Sequence, residues 1–229
     1  METLVTIKVS IVLPSNYYNY YQMEPQERIV NKAHELFMRY GVRSISMDEV
    51  ANHLGISKKT IYQFFADKDA LVEGVIDIEI CNSQSECTLQ RQKSENPIHE
   101  VFLAVEMVLD ILSKINPNVI FDLEKYHPTA FKKHNEFKNK FLYTVIKDNI
   151  ERGIGEGLYR EEVNPDIMAR FRLASTFLVF NQELFPMGKH SLSAIMTEMT
   201  DNFLYGLATP KGQKLIQKYK QQRLKTISV

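Results

Sequence analysis

From residue 26 onward, apolar residues recur with helical spacing, and the chain reads as a succession of amphipathic helices. Ile29, Val30, Ala33, Leu36, Phe37 and Tyr40 form one stripe, closed by Gly41. Ser46-Met47-Asp48-Glu49 has the form of a capping box, in which serine and glutamate satisfy each other's free amides at a helix start. Val50, Ala51 and Leu54 then share a face. Gly55 turns the chain, Ile56 plugs the corner, and Ser57 caps a second short helix. In that helix Ile61, Phe64 and Phe65 face inward. Asp67 opens a helix expected to run to about residue 85, with the polar stretch 83–96 as its frayed end or a loop. Further helices are predicted over 97–115, 119–126, 129–152, 164–185 and 191–205, with a basic amphipathic segment at 211–223.

The breaks between these helices are equally patterned. Asn164-Pro165-Asp166 supplies a cap, a first-turn proline and a first-turn acid. The glycines at 153, 155 and 157 read as a helix terminator, followed by a short extended link at 158–160. A phosphate-cradling loop is excluded there, because such loops follow a strand and open a helix. No strand pattern appears after residue 22. Residues 1–22 fit poorly with the helical pattern of the remaining chain, and Met23-Glu24-Pro25 looks like a natural start. The expectation is that 1–22 is an upstream extension, disordered or never translated.

Two short helices around a glycine, the second one cationic, point to a helix-turn-helix that reads DNA. Lys58 and Lys59 suit phosphates, Thr60 and Tyr62 can donate hydrogen bonds to them, and Gln63 suits an adenine edge. Lys68, in the first turn after Asp67, sits beside free amides that favour a phosphate. Arg43 fits a phosphate contact and a solvated loop equally well.

Composition narrows the setting. Among 229 residues, 28 Lys and Arg balance 28 Asp and Glu, so attraction to nucleic acid must come from a local patch. No apolar run is long enough to cross a membrane. Cys81 and Cys87 fall within one predicted helix, a spacing that favours free thiols and a cytoplasmic location. His127 and His134, with Asp122 and Glu124 nearby, do not make a convincing metal site, because Pro128 separates the histidines. No cofactor is expected.

The stretch GVRSISMDEVANHLGISKKTIYQFFADKDALV resembles the DNA-binding domain of TetR/AcrR-type regulators. Gly55-Ile56-Ser57-Lys58-Lys59-Thr60-Ile61-Tyr62-Gln63-Phe64-Phe65-Ala66-Asp67-Lys68 carries the likeness, with Lys59 where many relatives have glycine. With the preceding helix, it covers about a fifth of the chain. The resemblance implies an all-α protein: a three-helix DNA-binding domain over 23–70, then a helical bundle over 71–229 for ligand binding and dimerisation. It implies a DNA-facing set of Arg43, Ser46, Ser57, Lys58, Lys59, Thr60, Tyr62, Gln63 and Lys68. It also implies a homodimer through the helices around 165–185 and 191–207, whose wide apolar arcs suit burial on two sides.

Large apolar residues of the bundle, Phe102, Phe121, Tyr126, Phe137, Phe141, Phe171, Phe177 and Phe180, are candidates for the wall of a lipophilic pocket, and each also fits plain core packing. Gln182 and Glu183 are candidates to orient a polar group, or are simply solvated. The expected function is a dimeric repressor released from a palindromic operator by a lipophilic small molecule. An activator, an effector-independent regulator, a helix-turn-helix used for protein contacts, and an enzyme with an appended helix-turn-helix are the alternatives. No Ser/His/Asp, Cys/His or paired-carboxylate arrangement stands out to support the last.

Overall fold

A computed structural model of the chain describes residues 24–227 except 180, 182 and 187. The expectations for residues 1–22, Phe180 and Gln182 lie outside the described residues. Helix α1 spans Pro25–Tyr40, with proline in its first turn and Ile29, Val30, Ala33, Leu36 and Phe37 buried. Tyr40, predicted on the same stripe, is exposed, because the helix ends at Gly41 and turns away. Helices α2 (Met47–Leu54) and α3 (Lys58–Tyr62) follow. Helix α4 (Lys68–Lys93) starts from the Asp67 carboxylate, which accepts the Ala70 amide at 2.8 Å.

Helix α4 continues about two turns past its predicted end. The polar residues 84–93 are mostly straight-chain types with good helix propensity. Arg91 near its end pairs with Asp148 of a later helix. The bundle continues with α5 (Pro97–Lys114), α6 (Val119–Tyr126) and α7 (Pro128–Phe137). A single π-helical turn at Lys138–Leu142 joins α7 without a break to α8 (Tyr143–Gly155). Helices α9 (Pro165–Leu178), α10 (Leu192–Leu207) and α11 (Pro210–Ile227) complete it. Among the described residues the only pairing of extended backbone is an isolated bridge between Tyr159 and Ala208.

Two of these elements differ from the sequence pattern for reasons that can be named. Helix α9 stops near Leu178 instead of 185. Beyond it the Asn181 side chain accepts the Glu183 and Leu184 amides at 3.0 and 3.1 Å, a local turn that competes with the helical ladder. Gly153 does not end α8. The helix runs through it, and the turn is made at Gly157, whose φ is 66°. Gly153 is there for space: a Cβ would lie 2.0 Å from the ring of Tyr159, which is fully buried against it.

Apolar packing divides between two main clusters. One joins α1–α3 to Leu71, Val72, Val75 and Ile76 of α4 and also takes in Val119 and Leu123 of α6 and Ala130 of α7. The other centres on Ile98, Ile150, Tyr159, Leu204, Leu207 and Ile216 from α5, α8, the 158–160 link, α10 and α11. Helices α6 and α7 thus share a core with the N-terminal helices, a partition that periodicity does not reveal.

The Gly153–Tyr159 contact can be tested directly. Gly153→Ala should destabilise the fold by about 1–3 kcal/mol through overpacking, read as a lower urea midpoint. A midpoint equal to that of the wild type would show that the ring gives way to a methyl group without strain.

Candidate nucleic-acid interface and buried cavity

The first reader helix is set by its cap. The Ser46 Oγ accepts the Glu49 amide at 3.2 Å, and the Glu49 carboxylate accepts the Ser46 amide at 2.6 Å. Those bonds from Ser46 hold the Glu49 carboxyl below its ordinary range. Gly55 ends α2 in the left-handed region at φ 67°. The Ser57 Oγ then accepts the Thr60 amide at 3.1 Å and lies 2.9 Å from the Thr60 hydroxyl. Ile61 and Phe65 anchor the second helix in the core. Phe64, expected to be buried, is 38% exposed. Helix α3 ends at Tyr62, and the amides of Phe64 and Phe65 both turn back to the Ile61 carbonyl.

On the outer side, Lys58, Lys59, Tyr62 and Gln63 are exposed and Thr60 is half-buried. Lys58 Nζ donates to Asp48 Oδ2 at 2.7 Å, a bond that raises its pKa, and it lies 6.0 Å from the Tyr62 ring centre. Among the described residues, Lys59 and Gln63 have no side-chain partner. The geometry therefore brings Ser57, Lys58, Lys59, Thr60, Tyr62 and Gln63 together, with Ser46 at the neighbouring cap.

Lys68 and Arg43 are placed differently. Lys68 Nζ donates to the Val42 carbonyl at 2.7 Å and lies 5.8 Å from the Phe37 ring centre. Burial pushes its pKa down, against the pull of Asp122. It turns inward to satisfy a carbonyl that helix periodicity leaves unmentioned, instead of standing at the outer face. The Arg43 guanidinium lies 5.3 Å from the Tyr126 ring centre, and the Arg43 amide donates to Asp122 Oδ2 at 3.0 Å. Asp122 is buried in the first turn of a short helix, and sequence pattern singles it out only as an acid near His127 and His134. A second tie runs from the Asn116 amide to the Met38 carbonyl at 2.6 Å. His127, at the junction of α6 and α7, bonds Asp69 of α4, while His134 lies further along α7. The two histidines do not converge.

Behind this junction lies a cavity of about 290 Å³ between α4, α5, α6, the α7–α8 rod, α9 and α10. Of the candidate aromatic residues, Phe137 and Phe177 line it. Phe102 packs in the bundle core, 5.8 Å from the Tyr219 ring. Phe121 and Tyr126 are exposed, each with Lys125 Nζ 5.4 Å from its ring centre. Phe171 is 49% exposed. Phe141 stacks on Phe137 at 5.4 Å, and the π turn brings Leu142 to the wall in its place. Glu183 is exposed. Most of the wall is aliphatic, including Val108, Leu112, Ile120 and Leu123, residues whose spacing identifies an inward face without distinguishing core from cavity. Arg172, which also lines it, carried no signal in the pattern, and His134 was weighed only as a metal ligand.

A sequence model of the bacterial regulatory proteins of the tetR family matches residues 29–75, which contain this reader. Those residues are thus a tetR-family DNA-binding domain. Among curated relatives of the chain, the uncharacterized HTH-type transcriptional regulator YvaF of Bacillus subtilis is 24% identical over 184 residues, covering 79% of this chain and 94% of that protein. The uncharacterized regulator YerO of the same organism is 25% identical, covering 85% of this chain and 70% of its own. A putative transcriptional regulator from Saccharomonospora viridis, solved with choline, superposes with a TM-score of 0.68 at 17% identity, covering 80% of this chain and 97% of that one. A TetR-family regulator from Cytophaga hutchinsonii gives 0.68 at 16% identity, covering 81% and 96%. The chain is thus a DNA-binding transcriptional regulator with an all-α fold, and among its described residues no helix is long and apolar enough to cross a membrane.

The Asp122 tie generates a measurable expectation. Asp122→Ala leaves the Arg43 amide without its acceptor and should cost about 1–3 kcal/mol of stability. Asp122→Asn, which keeps an acceptor oxygen, should retain most of it. Paired urea titrations separate the two, and equal losses would rule out the hydrogen bond as the cause.

Proposed function

We propose that the protein is a dimeric repressor that leaves a palindromic operator when a lipophilic small molecule enters the cavity. In this reading residues 23–70 are the reader, residues 71–229 form the effector-binding and dimerising bundle, and the protein works in the cytoplasm. The observation that carries it is the double use of α6. Val119, Ile120 and Leu123 line the cavity, while Asp122 and Tyr126 of the same helix hold the turn at Arg43. A ligand that shifts α6 therefore shifts the reader, and it can do so only through different affinities for the two arrangements. The choline found in the Saccharomonospora neighbour supports a small-molecule site in this architecture.

Dimerisation is supported by apolar residues left open on α9 and α10. Ile167 is 61% exposed, and Phe171, Leu178, Leu192 and Tyr205 are exposed with it. Two readers related by a two-fold axis match a palindromic site with fixed half-site spacing. At the DNA, Lys58, Lys59, Thr60, Tyr62 and the cap serines Ser46 and Ser57 contact phosphates, and Gln63 reads a base edge. Arg43 stands behind them as a phosphate contact if its stacking on Tyr126 opens. Lys68 supports the turn from inside, so it drops out of the phosphate set.

Fluorescence anisotropy with DNA from upstream of the gene tests the interface. Lys59→Ala should weaken all sequences alike and lower the salt slope by about one unit. Gln63→Ala should instead relax preference at one base position, by about 1–3 kcal/mol. If both variants bind as the wild type does, the DNA face is misassigned. For the dimer, Ile167→Asp combined with Phe171→Asp should convert the protein to a monomer in sedimentation velocity and abolish tight operator binding. A dimer that survives both changes would place the interface elsewhere.

A further inference from the structure

The cavity is apolar except for a few side chains, and one of these is electrically incomplete. Arg172 of α9 is buried and lines the wall. One of its terminal nitrogens donates to Thr200 Oγ1 of α10 at 3.1 Å, and its guanidinium lies 5.1 Å from the Phe203 ring centre. Among the described residues no carboxylate pairs with it. Four other arginines, Arg91, Arg152, Arg160 and Arg170, each meet an acid, Asp148, Glu100, Glu162 and Asp166 respectively. A guanidinium stays charged, so the bond to the neutral Thr200 hydroxyl leaves its buried charge without an anion. Burial pushes the Arg172 pKa down to about 10, which still leaves the group cationic at neutral pH.

The remaining polar wall offers one further atom without a partner. His134 Nδ1 is buried with no hydrogen-bond partner, and burial lowers the pKa of the ring. Glu79 of α4 is the acid on the wall, but its carboxylate already lies 2.6 Å from His34 Nε2. Beside the cavity is a polar vestibule formed by α4 and α5 and bearing Glu79, Glu86 and Asp110. An anionic head is unfavourable among those acids and favourable at Arg172. The two regions therefore fix an orientation, head toward α9.

We infer that the cavity selects a monocarboxylate with an alkyl or aromatic tail, its carboxylate serving as the counter-ion of Arg172 while the tail fills the aliphatic wall. A planar guanidinium suits a carboxylate better than a point cation does, because two parallel hydrogen bonds form. This rests on the cavity being the effector site. It adds the chemical class of the effector and the residue that recognises its head.

The test uses the full chain at near-neutral pH and isothermal titration with three probes of equal tail: decanoate, decan-1-ol and decyltrimethylammonium. Decanoate should bind roughly tenfold to a hundredfold more tightly than decanol, the scale of one charge-assisted hydrogen-bonded pair. The ammonium should bind more weakly than the alcohol. Arg172→Gln should erase the gap between decanoate and decanol, while Arg172→Lys should keep part of it. Equal binding of acid and alcohol, or tightest binding of the ammonium, overturns the inference and leaves the effector-site reading intact. Binding of none of the three removes the effector-site reading and the inference together. If Arg172→Gln does not fold, the ranking on the wild-type protein decides alone.

Discussion

A buried carboxylate accepting a backbone amide joins the two halves of this molecule. Asp122 belongs to α6, and the amide it receives belongs to Arg43, in the turn between the first two reader helices. Breaking a hydrogen bond to a buried carboxylate is costly, because it leaves a buried amide and a buried acceptor short of a partner. The reader's position is therefore tied to α6 at a point, while apolar packing of Val119 and Leu123 fixes it over an area. An area of packing tolerates small slides, whereas a single directed bond does not. The combination holds α6 and the reader in one defined relation.

Local chemistry was the legible part of the chain. The capping box at Ser46 and Glu49, the left-handed Gly55 and the Asn164 cap each involve residues within a few positions of one another, and the structure forms all three as the pattern predicts. The face of α3 was legible for the same reason, since one buried residue, Ile61, fixes the rotation of a short helix. What escaped depends on distant partners. Nothing near Lys68 in sequence indicates that the Val42 carbonyl needs a donor. Gly153 resembles a terminator until Tyr159 is seen against it. Phe102, Phe121 and Phe171 look alike as apolar helix positions, yet one is core and two are surface.

Electrostatics is managed by pairing rather than by excess. Lys58 meets Asp48, Lys133 meets Glu73 and Asp77, and Lys218 meets Glu95. Such exposed pairs contribute little to stability. Their effect is to keep the surface near neutral and to confine the unpaired cationic character of the reader to a small area. A neutral molecule with a local cationic face gains little from long-range steering, so complementarity at contact must supply most of its discrimination.

The π turn at Lys138–Leu142 has a consequence for how this architecture diversifies. It holds one residue more than an α-helical turn would, and that residue sets which side of the rod faces inward. Before it Phe137 faces the cavity; at its end Leu142 does, and after it Val145 and Ile146. A relative shorter by one residue in this segment would keep its composition and its helix, yet rotate everything downstream by about 100°. An aromatic ring would then stand where an aliphatic wall stands now. Chain length at a single turn thus acts as a coarse dial on the shape of the interior, outside the reach of point substitution.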